Sequence, residues 1–165
     1  NLPVFPGSVI LLTRWVWFWI TVMRTLDQIL EVKGHAVLTA PPDATVYDSL
    51  ALLAEHEVGA LLVLDAGQPV GLFSERDYAR KVILKGLSSR DVLVRDIMAN
   101  PVISVDAALA VDKALGIMTE RRIRHLPVLD GQGQLTGIVS IGDLVKDIID
   151  EQQFTIDQLQ QYIYS

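Results

Sequence analysis

Cysteine is absent from this 165-residue chain. Its absence excludes disulfides and thiolate chemistry, and it fits a reducing compartment, so we expect a cytoplasmic protein. A hydrophobic content of 50% is enough to build an apolar core. Positive charge is also scarce, since the net charge is -6. This argues against a nucleic-acid partner, because phosphate neutralisation needs a basic face.

The motifs of common catalytic and metal sites are missing as well. The sequence has no Gly-x-x-x-x-Gly-Lys-Ser/Thr run, no His-Glu-x-x-His pair and no nucleophile elbow. Its three histidines, at positions 35, 56 and 125, lack metal-ligand spacing. We therefore predict that the protein is not an enzyme and requires no metal.

Long uninterrupted apolar runs are absent too, although residues 1–22 are intensely apolar and hold all three tryptophans. Arg14 breaks this leader before it reaches the ~18 residues of a membrane-spanning helix. A basic n-region and an Ala-x-Ala cleavage pattern are missing from it. Three interpretations stay open: a non-native or upstream-translated leader before a start at Met23, a helix that packs on a partner subunit, and a membrane anchor. The first is favoured, and a membrane is not expected as a partner.

What the sequence does contain is an internal repeat. Residues 71–77 (Gly-Leu-Phe-Ser-Glu-Arg-Asp) and 137–143 (Gly-Ile-Val-Ser-Ile-Gly-Asp) share a glycine, two apolar residues and Ser-x-x-Asp. Upstream, eight residues recur at an offset of 65, from Val37 and Val102 to Asp65 and Asp130. Self-similarity at this spacing means that each copy supplies one supersecondary unit. Units of about 60 residues are marginal alone, so we expect the two to pack on each other.

Each unit alternates between strand and helix spacing. Apolar segments at 37–39 and 102–104 predict edge strands, and helical spacing begins at Val46 and Val111. Buried strands at 60–65 and 125–130 lead through hairpin turns into strands at 70–73 and 135–139, and a helix follows each Ser-x-x-Asp. Residues 24–33 and 94–99 are candidates for an opening strand and helix. The predicted fold class is α+β with α/β-like units, divided into leader 1–22, repeat 23–84, linker 85–93, repeat 94–150 and helical tail 151–165.

The duplicated order and spacing resemble a pair of cystathionine beta-synthase (CBS) domains, also called a Bateman module, over residues 24–150. The resemblance implies two three-stranded sheets with helices on one face, packed by pseudo-twofold symmetry. It also implies a regulatory module for adenosine-containing ligands: AMP above all, with ADP, ATP, NAD or S-adenosylmethionine possible. A homodimer through the outer helices and a separate, unidentified downstream protein are further implied.

The chemistry of the Ser-x-x-Asp turn supports a ribose site independently. A hydroxyl and a carboxylate three residues apart at a helix start point to the same side, where the carboxylate accepts hydrogen bonds from two vicinal hydroxyls. Free helix N-terminal amides favour phosphate. The alternative is that Ser74 and Ser140 merely cap helices while Asp77 and Asp143 complete the caps. Two such turns in one duplicated frame favour the ribose interpretation.

The resemblance implies that each nucleotide is shared between the repeats. One site then combines Ser140 and Asp143 with His35, Val37, Val58, Gly59 and Ala60. The other combines Ser74 and Asp77 with Met98, Pro101, Val102, Ile123, Arg124 and His125. Candidate phosphate-binding cations are Lys33, Arg76, Arg124 and His125, whereas Arg121 and Arg122 are expected to be solvated. Gly59 and Ala60 leave room for a purine where Arg124 and His125 fill the equivalent place, so we expect unequal sites.

Two other functions stay open. The first is a ligand-free interaction protein that oligomerises through the leader and the tail, where Phe154, Ile156, Leu159 and Ile163 form a helical apolar stripe. The second is a small membrane-tethered accessory subunit.

Overall fold

A computed structural model describes residues 24–164 of the chain. The apolar leader at 1–22 lies outside the described residues, so its three interpretations stay predictions.

The described residues alternate between helices and strands in the same order twice. The first pass comprises α1 (Leu26–Lys33), β1 (Thr39–Ala40), α2 (Val46–Glu55), β2 (Ala60–Asp65), β3 (Gln68–Ser74) and α3 (Glu75–Lys81), followed by a 3-10 turn (Ile83–Lys85). The second comprises α4 (Val94–Ile97), β4 (Val105–Asp106), α5 (Val111–Arg121), β5 (His125–Leu129), β6 (Leu135–Ser140) and α6 (Ile141–Tyr164). The predicted α+β class and duplication are confirmed.

Each half builds one three-stranded sheet, in the orders β1-β2-β3 and β4-β5-β6. The first strand of each sheet pairs parallel with the second, and the second pairs antiparallel with the third. The short edge strands lie slightly later than predicted: β1 begins at Thr39, the last residue of the predicted segment 37–39, and β4 begins at Val105, just after the predicted segment 102–104. The pairing registers are Thr39 with Leu62 and Val105 with Val128. Both hairpins shift register at equivalent places near the end of the middle strand, between Val63 and Leu64 and between Val128 and Leu129. The internal repeat therefore extends to the irregularities of the backbone.

The opening helices are exchanged between the two halves. Leu30 of α1 is fully buried in the core formed by α5, β5, β6 and α6, and the Leu26 N–H donates to the Leu109 carbonyl at 2.9 Å. In the same way, Val94 of α4 packs into the core of the first half, and its N–H donates to the Ala44 carbonyl at 2.9 Å. Each apolar core is completed by a segment that precedes the other half's sheet in the sequence. The two halves thus depend on one another for burial of apolar surface.

The predicted tail is the continuation of α6, which runs for 24 residues without a break. Its second half carries exposed apolar side chains, among them Phe154, Leu159 and Ile163. Within residues 24–164, no helix is long and apolar enough to cross a membrane.

Candidate functional site

The two Ser-x-x-Asp turns at the ends of β3 and β6 share the hydrogen bonds that the two backbone N–H groups donate to the side chains. The Ser74 N–H and hydroxyl donate to Asp77 Oδ2 at 3.0 and 2.9 Å, while the Asp77 N–H donates back to Ser74 Oγ at 3.3 Å. In the second half, the Ser140 N–H donates to Asp143 Oδ2 at 2.7 Å, and the Asp143 N–H donates to Ser140 Oγ at 3.1 Å. The capping interpretation therefore describes both turns correctly.

Capping leaves room for a ribose role, because a carboxylate offers about four acceptor positions. The side chains of Asp77 and Asp143 are 16% and 25% exposed, so both are partly sheltered yet accessible. Neither carboxylate is directed freely into solvent. Both turns are thus able to accept hydrogen bonds from a diol without giving up the cap.

The cations beside these two carboxylates differ. Lys33, the last residue of α1, places its Nζ 2.7 Å from Asp143 Oδ2 and 2.7 Å from the Ile138 carbonyl oxygen. Burial alone raises the pKa of Asp143, but the hydrogen bonds from Lys33 and the Ser140 N–H outweigh it and hold the pKa below its usual value. At Asp77 the cation is Lys81, one turn along the same helix, with Nζ 3.2 Å from Oδ1.

His35, which the sequence analysis assigns to the site at Asp143, lies beside the second half. Its Nδ1 is 2.8 Å from the Thr136 carbonyl oxygen and 3.2 Å from Thr136 Oγ1. Among the other residues predicted for this site, Val37 is half-buried, Ala60 is buried and Val58 is exposed. Lys33 and His35 thus both rest on β6, although the sequence assigns them to the first repeat.

His125 and Gly59 face one another where the halves meet. A Cβ added to Gly59 would lie 3.9 Å from the His125 imidazole. The same backbone hydrogen bond recurs in both halves. The Glu75 N–H donates to the Gly59 carbonyl in the first half, and the Ile141 N–H donates to the Arg124 carbonyl in the second. Burial lowers the pKa of His125, and the charge of Lys33 lowers it further, against the opposing effect of Asp143. The imidazole is therefore neutral at neutral pH.

A cavity of about 450 Å³ opens beside His125. Its walls come from both halves and are mainly apolar; they are formed by Leu72, Ala99, Asn100, Pro101, Val102, Ile103, Arg121, Ile123, His125 and Pro127. Four predicted site residues meet here: Pro101, Val102, Ile123 and His125. The cavity therefore opens at His125, where the sequence predicted that the space is filled.

Sequence reasoning missed the other six lining residues of this cavity. Leu72 could have been found, because alternation along β3 places it on the same face as Ser74. Arg121, expected to be solvated, is exposed but also lines the cavity. Met98 does not line it, since its side chain packs against Gly71 and the core of the first half.

A smaller cavity of about 230 Å³ adjoins the first, and Ile123 lines both. Arg76, Arg122 and Arg124 line this smaller cavity, together with the first residue of α6, Ile141. Arg76 Nη1 lies 3.5 Å from the Arg122 carbonyl oxygen, so it reaches across from the first half. Two of the predicted phosphate-binding cations, Arg76 and Arg124, are thus brought together at a recess with strong positive charge.

Comparison with known proteins agrees with this architecture. The family model described as CBS domain matches residues 30–84 and 94–150. A mitochondrial CBS domain-containing protein of Arabidopsis thaliana is 38% identical over 148 residues, which span 84% of this chain and 71% of that protein.

Solved structures agree as well. A CBS-domain protein from Burkholderia ambifaria aligns with a TM-score of 0.75 and 47% identity, over 81% of this chain and 99% of that one. A CBS domain protein from Pyrobaculum aerophilum, solved in complex with AMP, aligns with a TM-score of 0.64 and 28% identity, over 73% and 89% of the two chains. The chain therefore belongs to the CBS domain family and is a regulatory module built from two tandem CBS repeats.

Proposed function

We propose that the protein is a non-catalytic sensor that binds an adenosine nucleotide between its two repeats, with AMP favoured over ADP, ATP, NAD and S-adenosylmethionine. The observation that carries the proposal is the cavity of about 450 Å³ with walls from both halves, lined from the first half by Leu72, two residues before Ser74. Binding pockets for small ligands typically have this size and a mainly apolar lining.

The chemistry of the walls suits each part of a nucleotide. Val102, Ile123 and Leu72 offer apolar surface for a purine ring. Leu72 and Ser74 share one face of β3, and in this proposal the Asp77 carboxylate accepts hydrogen bonds from the ribose hydroxyls. Arg76, which follows Ser74 in the same turn, extends to the neighbouring basic recess, where a phosphate finds guanidinium donors.

His125 completes this site as a hydrogen-bond donor in its neutral form. The second site, at Ser140 and Asp143 with His35, Val37, Val58, Gly59 and Ala60, is proposed on the same logic. AMP is present in the Pyrobaculum aerophilum structure, a relative at 28% identity, and this supports AMP as the first ligand to test.

Isothermal titration of the chain with AMP, ADP, ATP, NAD and S-adenosylmethionine tests the proposal. We expect saturable binding of AMP that Asp77→Asn weakens by about tenfold or more, because a hydrogen bond to a charged group contributes roughly 1.5–3 kcal/mol. Asp48→Asn is the matched control: Asp48 occupies the same position after the N-cap Thr45 of α2 and lines neither cavity.

Circular dichroism of each variant separates a lost ligand contact from a lost helix cap. Absence of heat across the whole panel, or equal AMP affinity in Asp77→Asn and wild type, would contradict the proposal. If none of the five compounds binds, the ligand-free interaction protein is favoured instead.

A homodimer is part of the proposal. The exposed apolar side chains Val145, Ile149, Phe154 and Leu159 on α6 need a covering surface, and a second copy presents the same surface. Sedimentation velocity of the chain should give twice the monomer mass. Replacing Phe154 and Leu159 by serine should give the monomer, and an unchanged mass in that double variant would contradict the assignment of this face.

The proposal also concerns metal binding, cellular location and the regulation of a partner. Residues 24–164 contain no cluster of three or more His, Cys, Asp or Glu side chains that could hold a metal ion. The cytoplasmic location stays a prediction from the cysteine-free sequence. Regulation of a downstream protein requires that the nucleotide bind one arrangement of the repeats or of the dimer more tightly than another.

A further inference from the structure

The edge strands of the two sheets are not at equivalent positions in the internal repeat. β1 pairs Thr39 and Ala40 with β2, whereas β4 pairs Val105 and Asp106 with β5. At the offset of 65 residues, the counterpart of Ala40 is Val105. The second edge strand therefore begins and ends one residue later than the first, although the hairpins beside them match.

A proline explains the late start of β4. In the first half, the Leu62 N–H donates to the Leu38 carbonyl at 2.9 Å, and this bond attaches the beginning of the edge strand to β2. The counterpart of Leu62 is Pro127, and the counterpart of Leu38 is Ile103. Because proline has no backbone N–H, the equivalent hydrogen bond to the Ile103 carbonyl cannot form.

A second proline explains the late end of β4 and checks the reasoning. In the second half, the Ala107 N–H donates to the Leu129 carbonyl at 2.8 Å, one residue beyond the last paired residue of the edge strand. The counterpart of Ala107 is Pro42, which cannot donate to the Leu64 carbonyl. Each end of the one-residue difference thus coincides with a proline in only one of the two halves.

The segment that Pro127 leaves unpaired is a wall of the larger cavity. Ala99 exchanges two backbone hydrogen bonds with Leu72 of β3, at 2.8 and 3.0 Å, and sheet pairing resumes at Val105. Residues 100–103 cross between these two attachments, from the first half to the second. All four line the cavity, and the buried Pro127 lines it from β5.

Pairing of this segment would close the space behind it. Paired strands lie about 4.8 Å apart, so a hydrogen bond from position 127 to the Ile103 carbonyl would draw Val102 and Ile103 onto β5. Within residues 24–164, no donor bonds the Ile103 carbonyl oxygen. That oxygen is therefore available to a hydrogen-bond donor of a ligand.

We propose that Pro127 is a positioning residue that keeps the nucleotide cavity open, by denying the wall at 100–103 the backbone donor that the first half has at Leu62. This inference rests on the proposed nucleotide function and names the residue that maintains the space of its site. The side chain of Pro127 matters here less than its missing N–H.

Pro127→Ala tests the inference, because it supplies the N–H while making the side chain smaller. We expect the new amide at position 127 to bond to the Ile103 carbonyl and, in the ligand-free protein, to exchange its hydrogen about as slowly as the Leu62 amide, measured by NMR. Isothermal titration should show AMP affinity lowered about two- to tenfold, since the ligand must first break that bond. Pro127→Leu, which introduces the residue of the first half, should lower the affinity at least as much.

Pro42→Ala is the matched control. It makes the same backbone change in the first half, and Pro42 lines neither cavity. We expect AMP affinity equal to that of the wild type. Circular dichroism of the three variants establishes that each is folded, so that a lost affinity reports on the cavity.

The outcomes distinguish this inference from the proposed function. If AMP binds the wild type and the new amide in Pro127→Ala exchanges freely, the positioning role is overturned and the nucleotide function stands. A protected amide with unchanged AMP affinity, or an equal loss of affinity in Pro42→Ala, overturns it as well. If AMP and its relatives bind to no form of the chain, the proposed function fails and the role of Pro127 in it fails too.

Discussion

The contact between Gly137 and Leu30 allows a quantitative prediction, because it joins the exchanged helix α1 to the sheet of the second half. A Cβ added to Gly137 would lie 2.6 Å from Leu30 Cδ2 and 2.8 Å from Leu30 Cδ1. Leu30 is fully buried, so its methyl groups have no free space into which to move. Overpacking of a filled core costs about 1–3 kcal/mol, and we expect Gly137→Ala to lower the free energy of unfolding by that amount.

Urea denaturation followed by circular dichroism measures this loss. A change of this size should also lower Tm by about 3–10 °C in a domain of this length. Gly116→Ala is the matched control: Gly116 lies within α5, and an added Cβ would meet nothing within 4 Å. That substitution should stabilise the chain by roughly 0.5–1 kcal/mol, because alanine has the higher helix propensity.

A double variant isolates the contact. Leu30→Ala removes the methyl groups that the new Cβ meets, so Gly137→Ala should cost less in the Leu30→Ala background than in the wild type. If Gly137→Ala is as stable as wild type, or if its cost is the same in both backgrounds, then α1 does not pack on β6 as described. The exchanged arrangement of the opening helices would then be refuted.

Three further predictions concern single side chains. The pKa of His125 is lowered, so below pH 6.5 the unfolded chain binds more protons at this residue. The free energy of unfolding should therefore fall as pH drops from 6.5 toward the folded pKa. Urea denaturation at several pH values in that window should show that the free energy of unfolding depends less steeply on pH in His125→Gln than in the wild type. An equal dependence on pH in the two proteins would rule out the buried neutral imidazole. Ser49 Oγ is fully buried without a hydrogen-bond partner in the described part of the chain, so Ser49→Ala should raise the free energy of unfolding by about 1 kcal/mol in urea denaturation; a loss would indicate a satisfied hydroxyl. Thr45 accepts the Asp48 N–H at 3.0 Å as the N-cap of α2, so Thr45→Ala should lower Tm through a loss of about 1 kcal/mol, whereas an unchanged Tm would show that the cap contributes nothing.

Much of the candidate site was predictable because its signals are local. A serine and an aspartate three residues apart at a helix start determine the capping hydrogen bonds of both turns, wherever the turns lie in space. The strand pattern at 60–65 matches β2 because apolar residues in continuous succession favour a buried strand. Pro101, Val102, Ile123 and His125 were instead identified through the family resemblance, and all four line the larger cavity.

The sequence by itself determined the duplication, the fold class and the two Ser-x-x-Asp turns, since these depend on spacing along the chain. Only the tertiary structure decided that α1 packs in the second half. An amphipathic stripe predicts that one face of a helix is buried, but it does not identify the element on which that face packs. It likewise decided that Lys33 meets Asp143, 110 residues away, and that the cavity opens beside His125 rather than beside Gly59. Contacts between residues so distant in sequence arise from how two cores are filled, and no local pattern records that.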